Sequence, residues 1–159
     1  MAKKLNPTQF TKAVVRSFMA DSGLEPRLLG KNFRVLSAAE GRVDFELDIH
    51  KDHTNRLQTI HGGTIASLVD LGGSLAVAST GRFATGVSTD LNGESPSLRP
   101  PCMALPSAKK IGKTLAFTQV TFTNSKGQLA ARGSHTKYVA GTMGEAGPFV
   151  APPEFSDVD

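Results

Sequence analysis

A long apolar segment over residues 65–78 constrains the fold of this chain most strongly. Leu, Val, Ile and Ala occur there on every side of a helical wheel, and Asp70 is the only formal charge between Arg56 and Arg82. A helix that is apolar all round is a buried helix, so the pattern predicts a central helix wrapped by the rest of the chain. A carboxylate in such a helix is costly unless it is paired, protonated or used in chemistry. Asp70 is therefore either a satisfied structural group or a functional one, and residue type alone does not decide between them.

The length, cysteine count and net charge of the chain narrow the class of protein. A chain of 159 residues can form one domain with a real core, and its single cysteine, Cys102, excludes an internal disulfide and fits a reducing compartment. No uncharged apolar run reaches the roughly 18 residues that a membrane span needs. The net charge of +4 suggests anionic partners, but the basic residues form no run of the kind that binds nucleic acid. The N-terminus is basic and lacks the apolar core of a secretory signal, which predicts a cytoplasmic or mitochondrial protein.

The remaining patterns predict an α+β fold. Asn6-Pro7 is a helix start, with Asn as the N-cap and Pro in the first turn. Apolar and charged residues alternate over 43–49, which predicts the second strand of a hairpin. Further strands are predicted at 86–91, 113–124 and 129–139, giving a curved antiparallel sheet wrapped around one long buried helix.

Two stretches depart from this regular pattern. The interval 94–106 contains four prolines, and proline cannot donate to a strand ladder, so a central strand is disfavoured there. Residues 141–159 are rich in Gly, Pro and acidic residues, which predicts a disordered tail. The predicted organisation is an N-terminal helix and lead-in over residues 1–30, one domain over 31–140 and the tail over 141–159.

A His-Gly-Gly step at residues 61–63 stands where the central helix begins. The first N–H groups of a helix have no internal partner and carry partial positive charge, so a carbonyl oxygen at the Gly62 N–H would be polarised. A plain tight turn explains the same residues. Asp70 lies eight residues further on, about 12 Å along the helix, too far to reach that carbonyl. Two antiparallel copies of the helix would bring Asp70 towards Gly62 of the other copy, which predicts a two-fold dimer with two shared sites.

The order and spacing of several short motifs resemble the hotdog-fold acyl-CoA thioesterases, in particular their phenylacetic-acid-pathway-like branch. The resemblance implies a hotdog fold and hydrolysis of acyl-CoA to a free acid and coenzyme A, without a metal or cofactor. It also implies a homodimer or a homotetramer built as a dimer of dimers. The motifs are HTN at 53–55, HGG at 61–63, LVD at 68–70, GVSTDLN at 86–92, GKTLAFTQVTFTN at 112–124 and GSHTKY at 133–138.

The same resemblance implies roles for single residues. Asn55 and the Gly62 N–H would bind the thioester carbonyl, the partner subunit's Asp70 would act as general base on the attacking water, and Ser88 would help to hold that water. His61 would belong to the substrate site as a residue that fixes the loop, not as the base. The residues expected to contact the coenzyme A nucleotide are Lys110, Gly112, Lys113, Thr114 and His135.

Two other functions remain open on the sequence. A hotdog hydratase or dehydratase would need a paired His and Asp, and Asp70, nine residues after His61 on another helical face, does not provide that pair. A non-catalytic protein that binds acyl thioesters or serves as a scaffold is the alternative from another class. The proline-rich interval favours this second alternative, whereas the presence of Asn55, Gly62 and Ser88 opposes it.

Overall fold

A computed structural model of the chain describes residues 3–94 and 102–159. Within these residues three α-helices and six strands form a mixed α+β arrangement, as the sequence predicts. The elements are α1 (Pro7–Asp21), α2 (Glu25–Leu28), β1 (Phe33–Ala39), β2 (Arg42–Leu47), α3 (Gly62–Ala78), β3 (Val87–Glu94), β4 (Cys102–Ile111), β5 (Leu115–Asn124) and β6 (Leu129–Tyr138).

The apolar segment forms α3, and the sheet wraps around it. The strands are antiparallel in the order β1-β2-β4-β5-β6-β3, and α3 packs against five of them. From Leu71 to Ala78 every residue of the helix is buried. Burial of this kind follows from the all-round apolar character, because each side of the helix has apolar surface to remove from water.

The first helix covers the open side of α3 and begins as predicted. The Asn6 side chain accepts a hydrogen bond from the Gln9 N–H at 2.9 Å, and the Gln9 side-chain oxygen accepts one from the Asn6 N–H, which completes a capping box. Phe10 and Val14 are fully buried, and α1 packs against both β1 and α3.

The prediction that the proline-rich interval lacks a central strand is wrong for residues 102–106. These residues begin β4, which lies in the middle of the sheet between β2 and β5. Pro106 stands opposite Val120 of β5. In an antiparallel ladder each residue bonds to only one neighbouring strand, so the pairing with β5 runs unbroken through Pro106, while the pairing with β2 skips residues 105 and 106. The other three prolines, at positions 96, 100 and 101, lie outside the described residues.

The C-terminal segment is packed where the sequence predicts disorder. Phe149 lies edge-on against Phe10 with ring centroids 5.5 Å apart, and Phe155 stacks on Phe83 at 6.0 Å. The backbone N–H of Leu5 donates to the Phe149 carbonyl at 2.9 Å. Two aromatic side chains therefore fasten a segment that is rich in Gly, Pro and acidic residues. No helix among the described residues is long and apolar enough to cross a membrane.

Candidate active site

Asp70 lies on a side of α3 that α1 and the described strands leave open to solvent. Its side chain is 46% exposed, whereas the two neighbouring residues in the chain are buried. Gly63, Ala66 and Ser67 are exposed or half-buried and continue the same side of the helix towards its N-terminus. A stripe of small residues therefore leads from the helix start to the carboxylate.

Three side chains converge on one oxygen of this carboxylate. The Ser88 hydroxyl donates to Asp70 Oδ1 at 2.9 Å. His135 Nε2 lies 2.8 Å from the Ser88 hydroxyl oxygen and 3.3 Å from Asp70 Oδ1, and Lys137 Nζ lies 4.0 Å from the same oxygen. The other oxygen, Oδ2, has no partner among the described residues. The carboxylate is thus held through Oδ1, and Oδ2 is free for a ligand or a water molecule.

The sheet register brings these groups together. Ser88 of β3 pairs with Lys137 of β6, and His135 precedes Lys137 by two residues, so both face α3. His135 is fully buried and Lys137 is 3% exposed. The pKa of His135 falls from 6.5 to about 4, first because burial disfavours the charged ring and then because Lys137 is close; Asp70 opposes the shift only in part. The imidazole is therefore neutral near pH 7.

Gly73 makes room for the His135 ring. A Cβ atom on Gly73 would stand 2.4 Å from His135 Nδ1 and 2.6 Å from the Thr118 hydroxyl oxygen. The ring therefore packs directly on the helix backbone. In this position Nδ1 is buried with no hydrogen-bond partner among the described residues.

The structure places His135 away from the nucleotide contact that the sequence predicts for it. A fully buried ring beneath Ser88 cannot reach a phosphate group at the surface. The residues Gly112 to Thr114 lie instead in the turn between β4 and β5, with Lys113 and Thr114 exposed and Lys110 exposed at the end of β4. This turn stands at the same end of the sheet as Ser88, because Ala116, just beyond it, pairs with Lys137.

The N-terminus of α3 has one backbone donor free. His61 is the N-cap, and its Nδ1 accepts the Gly63 N–H at 2.8 Å. This contact ties the imidazole to the first turn of α3. The Gly62 N–H has no partner among the described residues, and a Cβ atom on Gly62 would meet nothing within 4 Å. Space for a ligand therefore adjoins an unpaired donor at a helix start.

Asn55 shapes the loop that precedes this helix. Its Oδ1 accepts the N–H of Leu57 at 2.9 Å, and its Nδ2 donates to the Thr59 hydroxyl at 2.9 Å. Asn55 also lines an open cleft of about 650 Å³ together with His50, Lys51, Thr54 and Arg56. The amide therefore holds its own turn and still borders accessible space.

His53 holds the same loop together through its hydrogen bonds. The sequence motifs did not reveal this role. Its Nδ1 accepts the His50 N–H at 2.9 Å, and its Nε2 lies 2.6 Å from the Leu28 carbonyl oxygen. Its own carbonyl accepts the His61 N–H at 2.8 Å. Because Nδ1 accepts, Nε2 carries the proton, and the neutral ring ties α2 to the loop that leads into α3. The HTN motif contained this signal, but only its Asn was given a role.

Two clefts of about 230 Å³ each border Asp70, and Glu25 of α2 lines both. The first is closed by apolar residues of α2 and by Leu91. The second reaches Ser88 and Lys137. Asp70 therefore has accessible space on two sides. Among the described residues, no cluster of His, Cys, Asp and Glu could hold a metal ion.

Comparison with known proteins identifies the family. The model of the thioesterase superfamily matches residues 57–131. Human acyl-coenzyme A thioesterase 13 is 40% identical over 136 residues, which cover 83% of this chain and 96% of the human protein. This chain belongs to the thioesterase superfamily. The predicted family and enzyme class are thereby confirmed.

Solved structures of thioesterases agree in fold. The zebrafish thioesterase superfamily member 2 superposes with a TM-score of 0.76 at 36% identity, covering 86% of this chain and 99% of the zebrafish chain. The mouse thioesterase superfamily member 2 gives 0.74 at 32% identity, with coverage of 86% and 99%. The predicted hotdog fold is confirmed, and this thioesterase keeps it with Pro106 inside β4.

Proposed function

We propose that this thioesterase hydrolyses acyl-CoA to a free acid and coenzyme A, with Asp70 as the general base. The observation that carries the proposal is the asymmetry of the Asp70 carboxylate. Ser88, His135 and Lys137 all approach Oδ1, while Oδ2 has no partner among the described residues and Asp70 lines an open cleft. A carboxylate fixed through one oxygen presents the other in a defined direction, which is what proton transfer from a bound water requires.

The proposed reaction needs no group beyond water. Oδ2 of Asp70 takes a proton as the water oxygen bonds to the thioester carbonyl carbon. The negative charge then moves to the carbonyl oxygen, where the Gly62 N–H and the helix dipole stabilise it. When the C–S bond breaks, the electron pair leaves with sulfur, and the coenzyme A thiolate recovers a proton from the Asp70 carboxyl group or from solvent.

This reaction requires two subunits, because Gly62 and Asp70 are separated by about 12 Å along one helix. We propose that each site combines Asn55 and Gly62 of one protomer with the partner subunit's Asp70 and Ser88. Two surface features support a two-fold dimer. The stripe of small residues on α3 permits close approach of a second helix, and β3 is an edge strand with seven of its eight residues exposed. A homotetramer would need a second interface between such dimers.

Coenzyme A is proposed to bind at the β4–β5 end of the sheet. Lys110 and Lys113 are exposed there, and a lysine ammonium is a point charge suited to a phosphate group. Gly112 and Thr114 complete the turn, with the Thr114 carbonyl accepting the Val139 N–H at 2.7 Å. The alternative of a non-catalytic binding or scaffold protein loses its main support. That support was the expected absence of a strand in the proline-rich interval, and residues 102–106 form a strand.

Conversion of Asp70 to asparagine tests the proposal. Asparagine keeps the shape of the side chain but cannot take a proton from water, so kcat for a panel of acyl-CoA substrates should fall about 10²–10⁴-fold with little change in KM. The melting temperature should fall, because the buried Lys137 ammonium loses its ion-pair partner, so kcat is compared well below the unfolding transition. Release of free thiol by Asp70→Asn at the parent rate would rule out the catalytic role.

A further inference from the structure

Lys137 is a buried cation that takes no part in the proton transfers of the proposed reaction. It occupies an inward-facing position of β6, directly opposite Ser88 on one side and Ala116 on the other. Only 3% of the residue is exposed, and Nζ lies 4.0 Å from Asp70 Oδ1. The residues around this end of β6, such as Ala116 and Val139, are buried and apolar.

A lysine at this position is costly for the fold. Burial lowers the pKa of Lys137, and only the nearby Asp70 carboxylate opposes the shift. Asp70 is also its only ion-pair partner in the part of the chain that the structure describes. An aliphatic residue of similar length would fill the same space without a charge to desolvate. Stability alone therefore does not account for the ammonium group.

Lys137 has a distinct role among the groups around Asp70, because the others named here are neutral or negatively charged. From β6, His135 also faces the carboxylate, but it is neutral near pH 7 because its pKa falls to about 4. From β3 the neighbour is the uncharged Ser88, and from α1 it is Phe18. From α2, Glu25 lines the same clefts and carries the same sign of charge as Asp70. Among the described residues, Lys137 is thus the only cation that opposes Glu25 at this carboxylate near neutral pH.

We propose that Lys137 is a positioning residue for the base: its buried ammonium attracts Oδ1 of Asp70 inward, keeps the carboxylate ionised and leaves Oδ2 directed at the water. The inference rests on the proposed role of Asp70. At 4.0 Å the two groups are beyond direct hydrogen-bond distance, so the ammonium acts through its charge. An opposite charge 4–6 Å away favours the ionised form of a carboxyl group, an effect of about one to three pH units.

The test is the pH dependence of kcat/KM in Lys137→Met and Lys137→Gln. The acid limb of the profile should move to higher pH by about one unit or more, so that kcat/KM at pH values below the parent's limb falls about tenfold and recovers as the pH is raised. The Lys137→Arg variant, which keeps the charge, should retain the parent profile. A matched control is Lys126→Met in the exposed β5–β6 turn, which removes the same charge far from Asp70 and should leave the profile unchanged.

A second measurement does not depend on activity. Because Lys137 lowers the pKa of His135, an NMR titration of the substrate-free Lys137→Met variant should show the imidazole pKa rising above about 4. Acid limbs that superpose for Lys137→Met, Lys137→Gln and the parent would overturn the inference, even with Asp70→Asn inactive. Full activity of Asp70→Asn would instead overturn the proposed function itself. A merely structural lysine predicts a lower melting temperature with no shift of the profile.

Discussion

Acidification should destabilise this thioesterase through His135. The pKa of His135 is about 4 in the folded protein and 6.5 when the chain is unfolded, so the unfolded state binds more protons between these values. The contribution is therefore fully present above pH 6.5 and is lost as the pH falls towards 4. A difference of about 2.5 units at about 1.4 kcal/mol per unit amounts to about 3 kcal/mol.

Urea unfolding followed by circular dichroism measures this effect. Between pH 7 and pH 4 the free energy of unfolding of the parent should fall about 2–3 kcal/mol more than that of His135→Gln, in which glutamine replaces the titrating ring. The protein concentration must stay fixed, because subunit association contributes to the apparent stability. The His50→Gln variant is the control, since His50 is exposed. Parallel curves for the parent and His135→Gln would refute the reasoning.

Three further predictions concern neighbouring parts of the molecule. Gly73→Ala gains about 1 kcal/mol of helix propensity but loses about 1–3 kcal/mol to overpacking against the His135 ring. The melting temperature should therefore stay level or drop and kcat should fall, and a more active variant would contradict this. Lys113→Ala should raise KM for acyl-CoA more than it lowers kcat, and a fall in kcat at constant KM in steady-state kinetics would exclude the phosphate contact. His53→Phe leaves one backbone donor and one backbone acceptor unpaired, so chemical denaturation should show a loss of about 2–4 kcal/mol, whereas parent-like stability would argue against the clamp.

The central helix was predictable because its evidence is local. Burial of α3 follows from apolar residues on all sides, and the cap at His61 follows from the helix start. The alternation of inward- and outward-facing residues over 131–139 also indicates where His135 and Lys137 point. Ala131, Gly133 and Val139 face inward, so His135 and Lys137, which share their parity, do too. Their position beneath Asp70 depends on the register of β6 against β3, which no local pattern specifies.

The two errors in the fold have different physical causes. Proline disfavours a central strand on average, yet β4 tolerates Pro106 because the pairs with β5 stay in place and only residues 105 and 106 drop out of the ladder with β2. The C-terminal segment is rich in Gly, Pro and acidic residues, but the energy of packing comes from individual aromatic side chains such as Phe149. In both cases a rule based on average composition was overridden by particular tertiary contacts.

Heterodimers test the shared site most directly. Chains carrying Asp70→Asn and chains carrying Asn55→Ala can be co-expressed with different affinity tags and isolated as mixed dimers. In such a dimer one site combines the intact Asn55 of the first chain with the intact Asp70 of the second, and the other site carries both changes. The account predicts about half of the parent activity per mixed dimer, well above either homodimer. Mixed dimers no more active than the two homodimers would contradict it.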